Sequence, residues 1–392
     1  MGFLVEVPGG SGIQGGNMAR EQKRPEVAAI YCPLWHNYDH ASAWKGEGWC
    51  EWELVRHAIP RFKGHRLPLQ PSWGCFDDSN PRWAAREIKL AADHGIDVFI
   101  FDWYWFSGVK LMEEALERGF LQAPNRRRLK FALMWANHNW ADYFPAPFDQ
   151  PWNSWLPIRH SPRDFGRVID YAIEHYFRQP NYWLVDGRLF FSLFLPEEFV
   201  KQLGGPAATR RLFARIDRRL RTAGLPPMHW NAMLWEPGPA AALQEAGFHS
   251  TTTYNITSTG VAGGGLVQQY ADLVAAHPRK WRELAAAALP HCPVVTMGWD
   301  VTMRCDQKLR WPFPRAKRTG QHDYPYCHLV VGNTPKLFGQ LCRQAAEHVR
   351  QDPRHPFAVF VNAWNEWTEY SFLLPEKRYG LGYLKELKKA LG

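Results

Sequence analysis

The segment FAVFVNAWNEWTEYSFLLPEKRYG, residues 357–380, decides how the chain is read. It begins as a buried strand, because Phe357, Val359, Phe360 and Val361 form a short apolar run rich in β-branched and aromatic side chains. It then changes character: Trp364, Asn365, Glu366, Trp367, Thr368 and Glu369 bring two carboxylates and two indoles together. An unpaired buried carboxylate is costly or gives up its charge, so this mixture marks a strand leaving the core into a cleft. A helical turn after Glu366 puts Glu369 on the same face, with Cβ atoms roughly 5–6 Å apart. Glycosidic cleavage uses such a pair, one carboxyl as proton donor and the other as nucleophile or base. The plainer alternative is a solvated Glu or a helix N-terminal charge; the neighbouring Trp and Asn side chains favour sugar binding.

Working outward, the same strand-then-cleft pattern recurs. Strands are predicted at Val27–Tyr31, Asp97–Asp102, Lys130–Trp135, Arg188–Leu193, Met228–Leu234, His249–Tyr254, Pro293–Gly298 and from Phe357. Between them lie helical patterns at Pro81–His94, with Asn80 as N-cap and Gly95 as stop, at Lys110–Arg118, and from Pro162 through Tyr176 behind Ser161. Further helices are predicted at Ala207–Ala223, Pro239–Ala246, one or two within Leu266–Leu289, Pro335–Arg350 and Tyr383–Leu391. Eight alternating units predict an α/β fold, the (β/α)8 TIM barrel, with long loops at its C-terminal face, the longest over Trp44–Asp78. An open doubly wound sheet would want a Gly-rich phosphate turn after an early strand, and the sequence has none. Residues 1–25 are Gly-rich and then charged, which predicts a disordered or tag-like lead; residues 26–392 are predicted to form a single barrel domain.

In the barrel all strand C-termini meet on one face. That gathers the candidate binding residues Trp35, Asp102, Trp103, Trp105, Asn137, His138, Tyr254, Trp299, Asp300, Asn365 and Trp367 around the candidate catalytic pair Glu366 and Glu369. Asp102 is suited to accept hydrogen bonds from sugar hydroxyls, or from loop amides. Asp300 is suited to contact substrate or orient a catalytic Glu. Glu197 and Glu198 offer a rival acid but also read as the acidic first turn of a helix. Aromatic residues make up 15% of the 392, with 20 Trp, many beside Asn, His, Asp or Glu. Indole faces among hydrogen-bonding groups suit sugar rings.

The net charge of +9 arises mostly on helical segments such as Arg210, Arg211, Arg215, Arg218, Arg219 and Arg221, and no nucleic-acid motif accompanies it. Solvated helix faces account for it; an acidic glycan is the second reading. Seven cysteines, scattered without a CxxC spacing, argue against a disulfide framework and a zinc site, and the partners of His138 as a ligand are dispersed, so no metal or other cofactor is expected. No apolar stretch reaches the roughly 20 residues of a membrane span, and no leader pattern opens the chain, which predicts a cytoplasmic protein.

The segment Asn365–Glu369, the strand before it, and Pro375, Tyr379 and Gly380 after it resemble the NEWxE signature of glycoside hydrolase family 99. With GIDVFIFDWYW at 95–105, KFALMWANHNW at 130–140 and PVVTMGWD at 293–300, the chain also resembles the WbsX-like group of surface-polysaccharide glycosyltransferases. The resemblance runs over nearly the whole chain from residue 27. It implies a (β/α) barrel acting on a carbohydrate without metal. Carried over from family 99, Glu366 is the base that deprotonates the substrate 2-hydroxyl for attack on the anomeric carbon, giving a 1,2-anhydro sugar, and Glu369 is the acid and then the base, with overall retention. Thr368 and Tyr370 stand where family 99 endomannosidases show His and Gly. The leading expectation is a retaining glycoside hydrolase; the alternatives are a polysaccharide-building glycosyltransferase, for which the sequence shows no clear diphosphate site, and a non-catalytic glycan-binding barrel.

Overall fold

A computed structural model describes residues 24–142, 144–148, 152–260, 265–313, 324–354 and 356–392. Nearly all of the predicted lead, residues 1–25, therefore lies outside the described residues. The barrel strands are β1 (Glu26–Tyr31), β2 (Val98–Phe106), β3 (Lys130–Trp135), β4 (Arg188–Leu193), β5 (Met228–Met233), β6 (Ser250–Thr252), β7 (His291–Cys292 and Val294–Thr296) and β8 (Ala358–Asn362). Each is parallel to its neighbour in chain order, and β8 returns to β1 with Val27 opposite Val359. The predicted α/β barrel is thus present. Its ring closes through β7, which Pro293 interrupts because proline has no N–H for the ladder. Residues 291–292 pair with β6 and residues 294–296 with β8, while the Pro293 carbonyl accepts from Phe360 N at 2.9 Å.

The outer helices are α1 (Pro81–Asp93), α2 (Pro162–His175), α3 (Pro206–Thr222), α4 (Ala240–Ala246), α5 (Tyr270–Ala285), α6 (Pro335–Gln351) and α7 (Gly382–Leu391). Their starts follow local chemistry. Asn80, Ser161 and Thr334 each accept from a backbone N–H of the first turn, and each is followed by proline, whose missing N–H costs nothing there. No helix among the described residues is long and apolar enough to cross a membrane.

One expectation fails. The predicted helix Lys110–Arg118 is instead a short strand, Val109–Leu111, folded back on β2, followed by a π-helical turn at Ala115–Phe120. The reason lies in Ser107 and Gly108, both at positive φ (51° and 106°), which make a two-residue hairpin turn. β2 consequently continues to Phe106, four residues past its predicted end at Asp102. The segment Leu266–Leu289 holds a helix as predicted, α5, preceded by a short strand, Val267–Gln269, paired with Leu329–Val331.

One buried charge ties the barrel to its helices. Glu87 of α1 is fully buried and accepts from Tyr31 Oη (3.0 Å) and Trp364 Nε1 (2.9 Å). Burial pushes its carboxyl from the ordinary 4.5 up to about 8. Between those values the folded chain holds a proton that the unfolded chain has lost, so Glu87 makes stability fall as pH rises through that window. Glu87→Gln mimics the protonated form. Denaturation across pH is expected to show the variant more stable than wild type above pH 8, by up to a few kcal/mol at about 1.4 kcal/mol per unit, with the gap closing below pH 4.5.

Candidate active site at the barrel mouth

After β8 the chain turns sharply. Trp367–Glu369 forms one turn of 3-10 helix, and Tyr370 then adopts a left-handed conformation at φ 60°. Residues three apart eclipse one another in such a turn, so Glu366 and Glu369 project to one side. Gly298, after β7, makes room for it: a Cβ there would collide with the Tyr370 carbonyl oxygen. Asn365 pins the turn to the end of β1, accepting from Cys32 N (2.7 Å) and donating to Cys32 O (3.0 Å).

Between the two carboxyls lies Arg304, 4% exposed, at the end of a short 3-10 turn after β7. Its guanidinium donates to Glu366 Oε1 and, at 2.6 Å, to Glu369 Oε1. The remaining donors go to Glu51 Oε2 (3.4 Å), Thr368 Oγ1 (3.0 Å) and the Tyr324 hydroxyl. Tyr324 donates in turn to Glu369 Oε1 at 3.0 Å, and Thr368 to Glu51 Oε2 at 2.6 Å. Glu369 Oε2 is buried with no hydrogen-bond partner among the described residues. On the far side of Glu366, Oε2 meets the Cys32 thiol and, at 3.3 Å, the Tyr254 hydroxyl, which also reaches Asp102 Oδ2 at 3.1 Å.

Three carboxyl groups, Glu51, Glu366 and Glu369, thus share one guanidinium, and Asp102 joins Glu366 through the Tyr254 hydroxyl. Burial raises the carboxyl of Glu366 well above its ordinary value, and the charge of Glu369 adds to the effect. Burial likewise raises Asp102 well above the carboxylate range and raises Glu51, against the pull of Arg304 and Thr368. The arrangement therefore stores protons next to two carboxyls on one turn, as acid and base chemistry requires.

The barrel brings Asp102, Tyr254, Asn365, Glu366 and Glu369 together as the sequence predicts. It places other predicted residues elsewhere. Trp103 and Trp105 alternate with Asp102 along β2 and so face outward, where their indoles bond to Tyr176 and Asp164 and pack on α2. Asn137 is fully buried and clamps the Leu195 backbone, accepting from its N at 2.7 Å and donating to its O at 3.0 Å. Asp300 spends both oxygens inside the protein, on His65 (2.6 Å) and on the N–H and hydroxyl of Thr302. It thereby sets the turn that carries Arg304, and its N–H also reaches the Glu369 carbonyl at 2.9 Å.

Trp35, Trp52, Trp367 and Phe372 form a buried stack beneath the turn. His138 sits between Tyr104 and Phe194, with burial lowering its basicity, and Trp299 lies beside Tyr324. Glu197 is exposed in the first turn of the helix Pro196–Gln202, and Glu198 pairs there with Gln202. Sequence reasoning missed Arg304, Glu51, Tyr324 and Cys32. Only Glu51 carried a signal, standing between Cys50 and Trp52 as Glu366 stands between Asn365 and Trp367.

Replacing Arg304 by Met leaves the Glu51, Glu366 and Glu369 carboxyls without a counter-charge. The expected loss of stability at about pH 8, read by denaturation, is about 3–5 kcal/mol. It is expected to shrink as pH falls and the Glu51 and Glu366 carboxyls, whose burial favours the protonated form, take up protons.

The fold resembles that of the GH99 endo-alpha-mannosidase from Bacteroides thetaiotaomicron, with TM-score 0.57 and 14% identity over 93% of this chain and 95% of that one. It also resembles a glycoside hydrolase-like protein, with TM-score 0.59 and 16% identity over 94% of each chain. Among curated proteins, the uncharacterized protein WxcX of Xanthomonas campestris pv. campestris is 26% identical over 378 residues, 93% of this chain. The chain spans about half (49%) of the length of that relative. The model of the family described as glycosyltransferase WbsX matches residues 27–387, and the chain belongs to this family.

Proposed function

We propose that the chain is a retaining glycoside hydrolase in which Glu366 and Glu369 act on one glycosidic bond. The observation that carries this reading is the pair itself: two buried carboxyls on a single turn at the barrel mouth, held by one guanidinium. In this reading Glu369 is the acid, and its unpartnered Oε2 delivers a proton to the leaving oxygen. Glu366 removes the proton of the substrate 2-hydroxyl, and that oxygen closes on the anomeric carbon as the bond to the leaving group breaks. Glu369, now ionised, takes a proton from water, whose oxygen attacks the anomeric carbon and opens the 1,2-anhydro ring while Glu366 returns its proton to the 2-oxygen, restoring the original anomeric configuration and both carboxyl groups.

The substrate is a neutral oligo- or polysaccharide in this reading. All five N–H donors of Arg304 are directed at protein groups, so the buried cation at the mouth is not offered to an acidic sugar. The second reading is transfer of sugar to a growing polysaccharide, favoured by the family's description as a glycosyltransferase.

The test is product release from a panel of polysaccharides and aryl glycosides, read by mass spectrometry. Glu366→Gln is expected to abolish cleavage of all substrates. Glu369→Gln is expected to slow native glycans by roughly 10²–10⁴-fold while sparing glycosylation from aryl glycosides with good leaving groups, which need no acid. No cleavage of any substrate, with transfer from an activated donor instead, would replace hydrolysis by the second reading.

A further inference from the structure

Opposite Arg304, the mouth holds a second cluster that the proposed reaction leaves unexplained. Cys32 Sγ after β1 and one carboxyl oxygen each of Asp102 on β2 and Glu366 after β8 lie within 4.8 Å of one another, and all three residues are buried. The thiol lies 3.3 Å from Asp102 Oδ2 and 3.5 Å from the Tyr254 hydroxyl, and it also contacts Glu366 Oε2. Arg304 touches only the other oxygen of Glu366, and its remaining donors point away. A thiol and two carboxyls therefore converge, and among the described residues the positive side chain bonded to them is Arg304, on the Glu366 oxygen turned away from the thiol.

A separate observation points to a missing ligand. Asp102, only 5% exposed, has an Oδ1 with no hydrogen-bond partner among the described residues, although a buried oxygen of this kind is costly to leave unpaired. The donor types narrow what would fill the gap. Mg2+ and Ca2+ take six or more oxygens and gain little from sulfur, whereas Zn2+ accepts Cys and carboxylate ligands in a four-coordinate shell that fits a confined space.

We propose that Cys32, Asp102 and Glu366 form a site for a thiophilic divalent cation of the Zn2+ class, with the Tyr254 hydroxyl or a water as fourth partner. On binding, the metal takes a lone pair from each ligand, and the Cys32 proton together with any carried by the Asp102 and Glu366 carboxyls leaves to solvent; no group is oxidised or reduced. A cation on Glu366 also occupies the oxygen that the proposed hydrolysis uses as base, so zinc is an inhibitor of that reaction. The inhibition rests on the proposed function, but the binding does not.

The experiment uses the full chain stripped with a chelator. Zn2+ binding is measured by calorimetry, and Co2+ binding by absorption, where a thiolate ligand gives an intense charge-transfer band. Wild type is expected to bind one ion with that band present and no competition from Mg2+. Cys32→Ser is expected to lose the band and weaken Zn2+ binding by more than the roughly 10–100-fold caused by losing an outer hydrogen-bonding partner. Asp102→Asn is expected to weaken binding while keeping the thiolate band, which preserves the test if the serine variant does not fold. Equal Zn2+ affinity in wild type and either variant, or Co2+ binding without the band in wild type, would overturn the proposal. Neither readout contains substrate: failure of the metal site leaves the hydrolase reading standing, and absence of glycan turnover leaves the metal site standing.

Discussion

The mouth of this barrel depends on the five hydrogen bonds of one buried guanidinium. Arg304 brings Glu51 from the long loop after β1 together with Glu366, Thr368 and Glu369 from the turn after β8. Arginine suits the task because its planar fork carries five donors in fixed directions and stays charged when buried. Lysine would bring a point charge with three donors. Arg304 is held in its turn by Asp300, which is held by His65, whose Nδ1 accepts from Arg61 N at 3.0 Å. The positioning of the carboxyl pair thus extends through residues that touch neither carboxyl.

The barrel was legible because its signals are local. Runs such as Val98–Phe101 and Phe357–Val361, and helix starts such as Asn80-Pro81 and Ser161-Pro162, need no distant partner to be recognised. The carboxyl pair was legible for the same reason, its two members lying three residues apart. Arg304 was not, because nothing in Thr302-Met303-Arg304-Cys305 indicates that this arginine is buried. Its burial follows from three carboxyls contributed by two other segments, and sequence spacing does not report such convergence.

The indoles of β2 mark a different limit. Trp103 and Trp105 share the company of polar and aromatic residues that suggested a cleft, yet strand alternation sends them outward to α2 while Asp102 points inward. Composition identified the neighbourhood, and period identified the face. The Ser107-Gly108 hairpin, which keeps the strand running through both indoles, was the local signal that would have separated the two.

The pairing of β1 with β8 sets a condition on biosynthesis. Val27 emerges well before Val359, so β1 has no partner on that edge until every other barrel strand has been made. Long-range parallel pairing of this kind is slow to form and leaves an unpaired edge meanwhile. Because Glu366 and Glu369 follow β8 directly, a prematurely terminated chain lacks the ring closure and both carboxyls together. The carboxyl pair at this mouth therefore belongs only to chains made past β8.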